Sequence, residues 1–146
     1  MLLDPRGPRF AAAVTTVVLA AALITGSTAL VLTQAVVFAV TAASPRLGPY
    51  ALAYRALVAP RLDPPAEREP AAPVRFAQLV GLAFMLLAAV GHVAGLPALA
   101  LTATAAALAA AFLNAAFDFC LGCEAYLALR RLTGRPVPTR VPTGPA

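Results

Sequence analysis

"FAQLVGLAFMLLAAVGHVAGLPALALTATAAALAAAFLNAAF" occupies residues 76–117 and contains no Asp, Glu, Lys or Arg. The hydrocarbon core of a bilayer takes about 20 apolar residues per helix, with a range of about 17–25. Phe76–Leu96 and the run from Ala98 to Phe117 each meet that length, with a short turn around Gly95 between them. Two shorter runs precede them, Phe10–Thr25 and Ala29–Ala43. "TGST" at 25–28 must then be a tight hairpin, and Pro8 and Pro45 mark how far the two helices extend, since proline suits a first helical turn or the region past an end. None of the runs alternates with the period of two that a barrel strand requires. All are apolar all round and rich in alanine, the best helix former. The expected fold is all-α: a four-span transmembrane helical bundle in which small residues let backbones approach closely. Gln34, Gln78 and Asn114 are expected to turn inward.

Composition supports the same class. The chain has 146 residues, 61% apolar and 12% charged, with a mean hydropathy of +0.84. Soluble domains run at about 45–50% apolar and about 25% charged, so a water-soluble fold of this size could not hide the apolar surface. The net charge of +5 is carried by arginine alone. No aromatic-plus-basic pattern for nucleic acid accompanies it; arginines at the ends of apolar runs point to the lipid bilayer as partner. The opening stretch imitates a signal peptide, but further spans follow it, and it is read as a retained first span.

With four spans, the two termini and the central loop share one side, and every arginine falls there. The turns around Gly26 and Gly95 carry no charge. The positive-inside rule then makes this a multi-pass protein of the inner (plasma) membrane with both termini in the cytoplasm. Within the loop Ser44–Arg75, "PYALAYRALV" (49–58) reads as a short interfacial helix with Tyr50 and Tyr54 at headgroup level. Residues 1–132 form a single transmembrane domain, and 133–146 a basic, proline-rich, disordered tail. "DPRGPRFAAAV" (4–14) resembles "EPAAPVRFAQLV" (69–80), which suggests two repeated helical hairpins inserted in the same direction.

The only cysteines, Cys120 and Cys123, stand in "FDFCLGCEAY" (117–126), where the last run meets the basic tail. C-x-x-C lets one thiolate attack a partner disulfide while the second resolves the product. Zinc wants about four ligands; only one pair exists and His92 lies at the opposite end, so neither metal nor cofactor is expected within one chain. Haem attachment needs His after the second Cys, and position 124 is Glu. Packing as small apolar residues is the remaining reading. In a continuous helix the two cysteines share a face; alternatively, the span ends near Phe117, Asp118 caps a new helix, and the cysteines occupy its first turn. Either could be the attacking thiol. Arg9 and Arg75 open spans one and three on the same side. They are candidates for stabilising a thiolate or a small anion, against a simple anchoring role. Quinone-coupled disulfide generators are also small four-helix membrane proteins, but they work on the outer face, and the inward orientation argues against that assignment.

"DPRGPRFAAA", "PPAEREPAAPVRFAQLVG" and "AAFLNAAFDFCLGCEAYL" together resemble the bacterial membrane family called domain of unknown function 4395, over roughly Asp4–Leu132. Asp4, Pro5, Arg6, Pro8, Arg9, Phe10, Arg75, Phe76, Asn114, Cys120, Leu121, Gly122, Cys123 and Tyr126 carry the resemblance; Asp118 departs from it. The resemblance implies no established activity. It implies proximity to thioredoxin-like or sulfur-transfer proteins, hence thiol redox or sulfur metabolism. The expected function is thiol–disulfide exchange or sulfur relay between the Cys120–Cys123 dithiol and a cytoplasmic thioredoxin- or rhodanese-type partner. The alternatives are a noncatalytic membrane scaffold, whose cysteines pack or bind metal between chains, and a small transporter for a sulfur-containing solute.

Overall fold

A computed structural model describes residues 1–143. Six α-helices account for most of them: α1 (Arg6–Thr25), α2 (Thr28–Ala43), α3 (Pro49–Ala53), α4 (Ala71–Val93), α5 (Pro97–Phe117) and α6 (Leu121–Leu132). A π turn, Tyr54–Val58, and a 3-10 turn, Ala59–Arg61, continue α3.

The helix ends follow local chemistry. Asp4 accepts the Arg6 N–H at 3.0 Å, and Pro5 follows it at the start of α1, an arrangement in which an acidic cap precedes a residue with no N–H to satisfy. Gly26, at φ 64°, ends α1 in the left-handed region that a residue without Cβ enters freely. Ser27 then caps α2 by accepting the Leu30 N–H at 3.3 Å. Gly95, at φ 67°, closes α4, and Pro97 opens α5. Threonines in the spans return their hydroxyls to the carbonyl four residues back, as Thr16 does to Ala12 and Thr104 to Ala100. These hydroxyl donors are thereby satisfied within their own helix rather than left facing an apolar surround.

The four long helices form a ring in which α1 packs on α2 and α5, and α4 packs on α2 and α5. The interior is built from small residues, among them Ala22, Ala35, Ala88, Ala103 and Ala107, around fully buried Leu19 and Met85. Large apolar side chains such as Val17, Leu79, Leu86, Val90 and Leu101 are instead exposed on the outside. A soluble bundle would bury the large residues and expose polar ones; this inversion suits a surround of lipid. Three helices, α1, α4 and α5, are long and apolar enough to cross a membrane; α2, at 16 residues, is a shorter apolar helix.

All arginines lie at one end of the bundle, opposite the turns at Gly26 and Gly95. The same end carries a small antiparallel sheet that the sequence pattern did not suggest. β2 (Glu67–Pro70) is its middle strand; β1 (Leu2–Leu3) pairs with it at Leu3↔Glu69, and β3 (Val141–Pro142) pairs at Arg68↔Val141. The tail read as disordered therefore returns along the loop through residue 143; its last residues, 144–146, lie outside the described residues.

The two tyrosines placed at headgroup level turn inward instead. Tyr54 is 3% exposed, packs on Phe10 with ring centroids 5.8 Å apart and donates to Asp4 at 3.0 Å. Tyr50 donates to the fully buried Gln34 at 2.8 Å. The fully buried Gln34 amide oxygen needs a donor, which Tyr50 supplies, and Tyr54 adds a donor to the part-buried Asp4 carboxylate that Arg6 already holds.

Asp4 is the hub of this end. Burial alone would raise its carboxyl, but hydrogen bonds from the Arg6 side chain and backbone, and from Tyr54, outweigh it and hold it below the ordinary carboxylate value. Its contribution to stability is then fully present above that ordinary value and lost as pH falls through the lowered one. Asp4→Asn should lower the thermal midpoint slightly at neutral pH, since the amide oxygen still caps α1 but the charge-assisted pair with the exposed Arg6 is lost. It should also remove the corresponding acid-induced loss of stability; thermal unfolding of both proteins against pH checks this.

Candidate functional site

α5 does not run on through the cysteines. Its last hydrogen bonds are closed by Asp118, which takes a left-handed conformation at φ 55°; aspartate tolerates that region better than most residues. The chain turns over Phe119, and α6 begins at Leu121 with Cys120 as its N-cap. The break was one of two arrangements open from sequence, with Asp118 as the new cap. Asp118 instead ends the old helix and Cys120 begins the new one. The Cys120 Sγ accepts the Cys123 N–H at 3.3 Å, the bond a serine or aspartate makes at this position. The Cα atoms of Cys120 and Cys123 are 5.2 Å apart, within the usual range for a bridge, and the two sulfurs lie at bonding distance.

α6 turns back and packs against the first half of α4. Gly122 lies so close to Ala77 that a Cβ on it would stand 2.6 Å from the Ala77 Cα. Phe76 and Tyr126 pack with ring centroids 5.7 Å apart. The dithiol is therefore held at the level of Ala77 and Gln78, well inside the start of α4.

There it lines a cavity of about 740 Å³ enclosed by α1, α2, α4, α5, α6 and the α3 segment. The walls supplied by α1, α2, α4 and α5 carry no charged side chain. Asp4, Arg46, Arg55, Glu69, Asp118, Glu124 and Arg140, from the loops, the α3 segment and α6, also line it. Glu69, like Asp4, is a half-buried acid of this group. Burial pushes its carboxyl above the ordinary value; Arg140 opposes this, and the charges of Asp118 and Asp4 add to it. Arg140, on the returning tail, reaches Glu69 and Asp118 at 3.8 Å each.

A raised carboxyl favours the folded state only while protonated. The stability it contributes is complete below the ordinary value and is lost as pH rises through the raised one. Glu69→Gln should therefore raise the thermal midpoint at neutral pH and flatten its fall over that window. The exposed, long contact to Arg140 that it gives up is worth little.

Arg9 and Arg75, candidates from sequence for stabilising a thiolate or for anchoring, both reach backbone carbonyls. Arg9 donates from Nε to the Ala115 carbonyl at 3.0 Å and from a terminal nitrogen to Ala116 at 3.4 Å. Arg75 donates from Nε to the Ala42 carbonyl at 2.8 Å. Each guanidinium thus meets the C-terminal carbonyls of another helix, where cations are favoured. Neither lines the cavity, and neither is paired with a cysteine among the described residues. Among those residues no three or more His, Cys, Asp or Glu side chains gather as metal ligands.

Sequence reading missed Glu69 and Arg140. The one available signal for Glu69 was its acid-Pro pairing, which mirrors Asp4-Pro5; for Arg140, in a proline-rich tail, there was none.

A family model described as a domain of unknown function, number 4395, matches residues 3–131, and the chain belongs to that family. No curated protein and no solved structure matches it.

Proposed function

We propose that this family member is a four-span protein of the inner membrane, with both termini cytoplasmic. In this reading it uses Cys120 and Cys123 for thiol–disulfide exchange or sulfur relay with a thioredoxin- or rhodanese-type protein. The observation that carries the proposal is the position of Cys120: N-cap of α6, accepting a backbone N–H, on the wall of a cavity. In the reduced pair that N–H and the N-terminal end of the helix dipole favour a thiolate on Cys120 over one on Cys123, so Cys120 is the attacking sulfur and Cys123 the resolving one. Glu124 in the same turn works against this, as a negative charge beside a thiolate does. Arg9 and Arg75 serve in this scheme as clamps that fix the bundle end on which the site rests.

The four-span architecture is best read as a duplication. The α1–α2 hairpin with the α3 segment corresponds to the α4–α5 hairpin with α6. "AYRAL" (53–57) then matches "AYLAL" (125–129). Phe10 packs on Tyr54 as Phe76 packs on Tyr126. Arg9 binds the end of α5 as Arg75 binds the end of α2. Gly48 caps α3 where Cys120 caps α6. Under this correspondence α2 is a span like α5, and its 16 residues suffice with the tilt and flanking turns that short spans use.

Two measurements test the proposal. Reporters active only inside or only outside the cell, fused to the C-terminus, should report it inside; an outside signal overturns the orientation. Purified protein equilibrated across glutathione potentials and tagged with a mass-labelled alkylating reagent should lose and regain two thiols together. Thiols that stay free throughout return the pair to packing.

A further inference from the structure

The bundle holds three amide side chains in its spans and treats them differently. Gln34 is fully buried and satisfied: it takes the Tyr50 hydroxyl at 2.8 Å and donates to Thr15 at 3.4 Å. Gln78 of α4 and Asn114 of α5 are half-buried and line the cavity. Neither makes a side-chain hydrogen bond among the described residues. An amide inside a lipid-surrounded bundle is costly unless something hydrogen-bonds it. The chain meets that need for Gln34 and leaves the other two presented to the cavity.

The rest of the cavity defines what they would hold. Phe38, Phe84, Gly81 and Ala107 give an apolar surround where the four long helices form the wall, and the charged lining from the loops, the α3 segment and α6 is nearly balanced, four acids against three arginines, which suits an occupant without net charge and with a largely apolar body. A volume of about 740 Å³ is in the range of small-molecule sites, about 300–1,000 Å³. Amide NH2 groups on two different helices suit carbonyl oxygens on one flat body. The same cavity is walled by a dithiol, a two-electron, two-proton donor.

We propose that the cavity binds a quinone between Gln78 and Asn114, and that the quinone accepts the electrons of the Cys120–Cys123 dithiol. This rests on the thiol-exchange reading above. The Cys120 thiolate adds to a ring carbon, forming an S–C bond. The Cys123 thiolate then attacks the Cys120 sulfur; the S–S bond forms as the S–C bond breaks, and that bond's electron pair passes to the ring. The two protons released by the thiols end on the two ring oxygens, giving disulfide and quinol. Donor and acceptor meet in one cavity, so no second relay across the bilayer is required. Glu69, whose carboxyl burial has raised, stands on the cavity wall as a carrier for those protons.

The probe is a short-chain benzoquinone bearing one isoprene unit, added to the full-length protein in lipid nanodiscs. Saturable binding is followed by equilibrium dialysis, and quinol formation by absorbance after reduction of the dithiol. Gln78→Leu and Asn114→Leu should each weaken binding about tenfold, the loss of one hydrogen bond to a buried partner. The Cys120→Ser/Cys123→Ser double variant should form no quinol. Because a leucine variant can fail to fold, an azido-substituted benzoquinone is also used on the wild-type protein; its photoadducts should fall on the peptides carrying Gln78 or Asn114. Absence of saturable binding, adducts elsewhere, or binding without quinol formation overturns the proposal. If the thiols still titrate against glutathione, thiol exchange survives that failure; if they never oxidise or reduce, thiol exchange fails as well.

Discussion

Cys123→Ser is expected to hold a cytoplasmic protein as a mixed disulfide through Cys120, while Cys120→Ser holds none. The asymmetry follows from the N-cap. Attack needs a thiolate, and only Cys120 has an N–H of the first helical turn directed at its sulfur. Once Cys120 has attacked, the intermediate persists until a neighbouring thiol resolves it. Cys123, with its Cα 5.2 Å away, is that thiol. Removing Cys123 leaves the first step intact and abolishes the second; removing Cys120 abolishes the first. Near neutral pH, alkylation of Cys120 in the Cys123→Ser variant should be at least about tenfold faster than alkylation of Cys123 in the reciprocal one, the scale set by thiolate stabilisation at a helix N-terminus. Equal trapping by both variants would mean that the cap does not select the nucleophile. Trapping by neither, with the wild-type thiols inert, would remove the exchange chemistry.

Gly122→Ala is expected to be strongly damaging. The added Cβ would meet the Ala77 Cα at 2.6 Å and its Cβ at 2.7 Å. The first of these is backbone, so no rotamer change relieves the clash, and α6 must lift off α4. Overpacking of this kind costs about 1–3 kcal/mol. It should also separate Tyr126 from Phe76 and draw the dithiol away from the cavity, so thiol reactivity changes along with stability. Ala77→Gly in the same chain takes away the clashing methyl of residue 77 but leaves its backbone in the way, and should restore part of both losses. A double-mutant cycle on thermal midpoint and alkylation rate measures the coupling. Additive effects would show that the two residues do not meet.

The sequence by itself determined the helices and their apolar, span-length character. Apolar runs of span length, glycines at 26 and 95, prolines at helix starts and arginines confined to one end are local features. A helix satisfies its own backbone, so local features suffice to place it. The runs Phe76–Leu96 and Ala98–Phe117 became α4 and α5 within a few residues at each end. Tertiary structure alone decided the site. Two-residue strands such as β1 and β3 have no periodicity to read, so the return of the tail and the placing of Arg140 beside Glu69 and Asp118 were illegible. Tyr50 and Tyr54 fit a headgroup belt by composition, and turned inward where Tyr50 supplies the buried Gln34 with a donor and Tyr54 packs on Phe10 and reaches Asp4. A continuous helix and a broken one were equally consistent with "FDFCLGCEAY". What separates them is the close packing of Gly122 on Ala77, between residues 45 positions apart in the chain, which α6 can achieve only if the chain turns sharply after Phe117. The need to satisfy buried polar groups and the fit of one backbone against another are properties of the assembled bundle, and no window of sequence contains them.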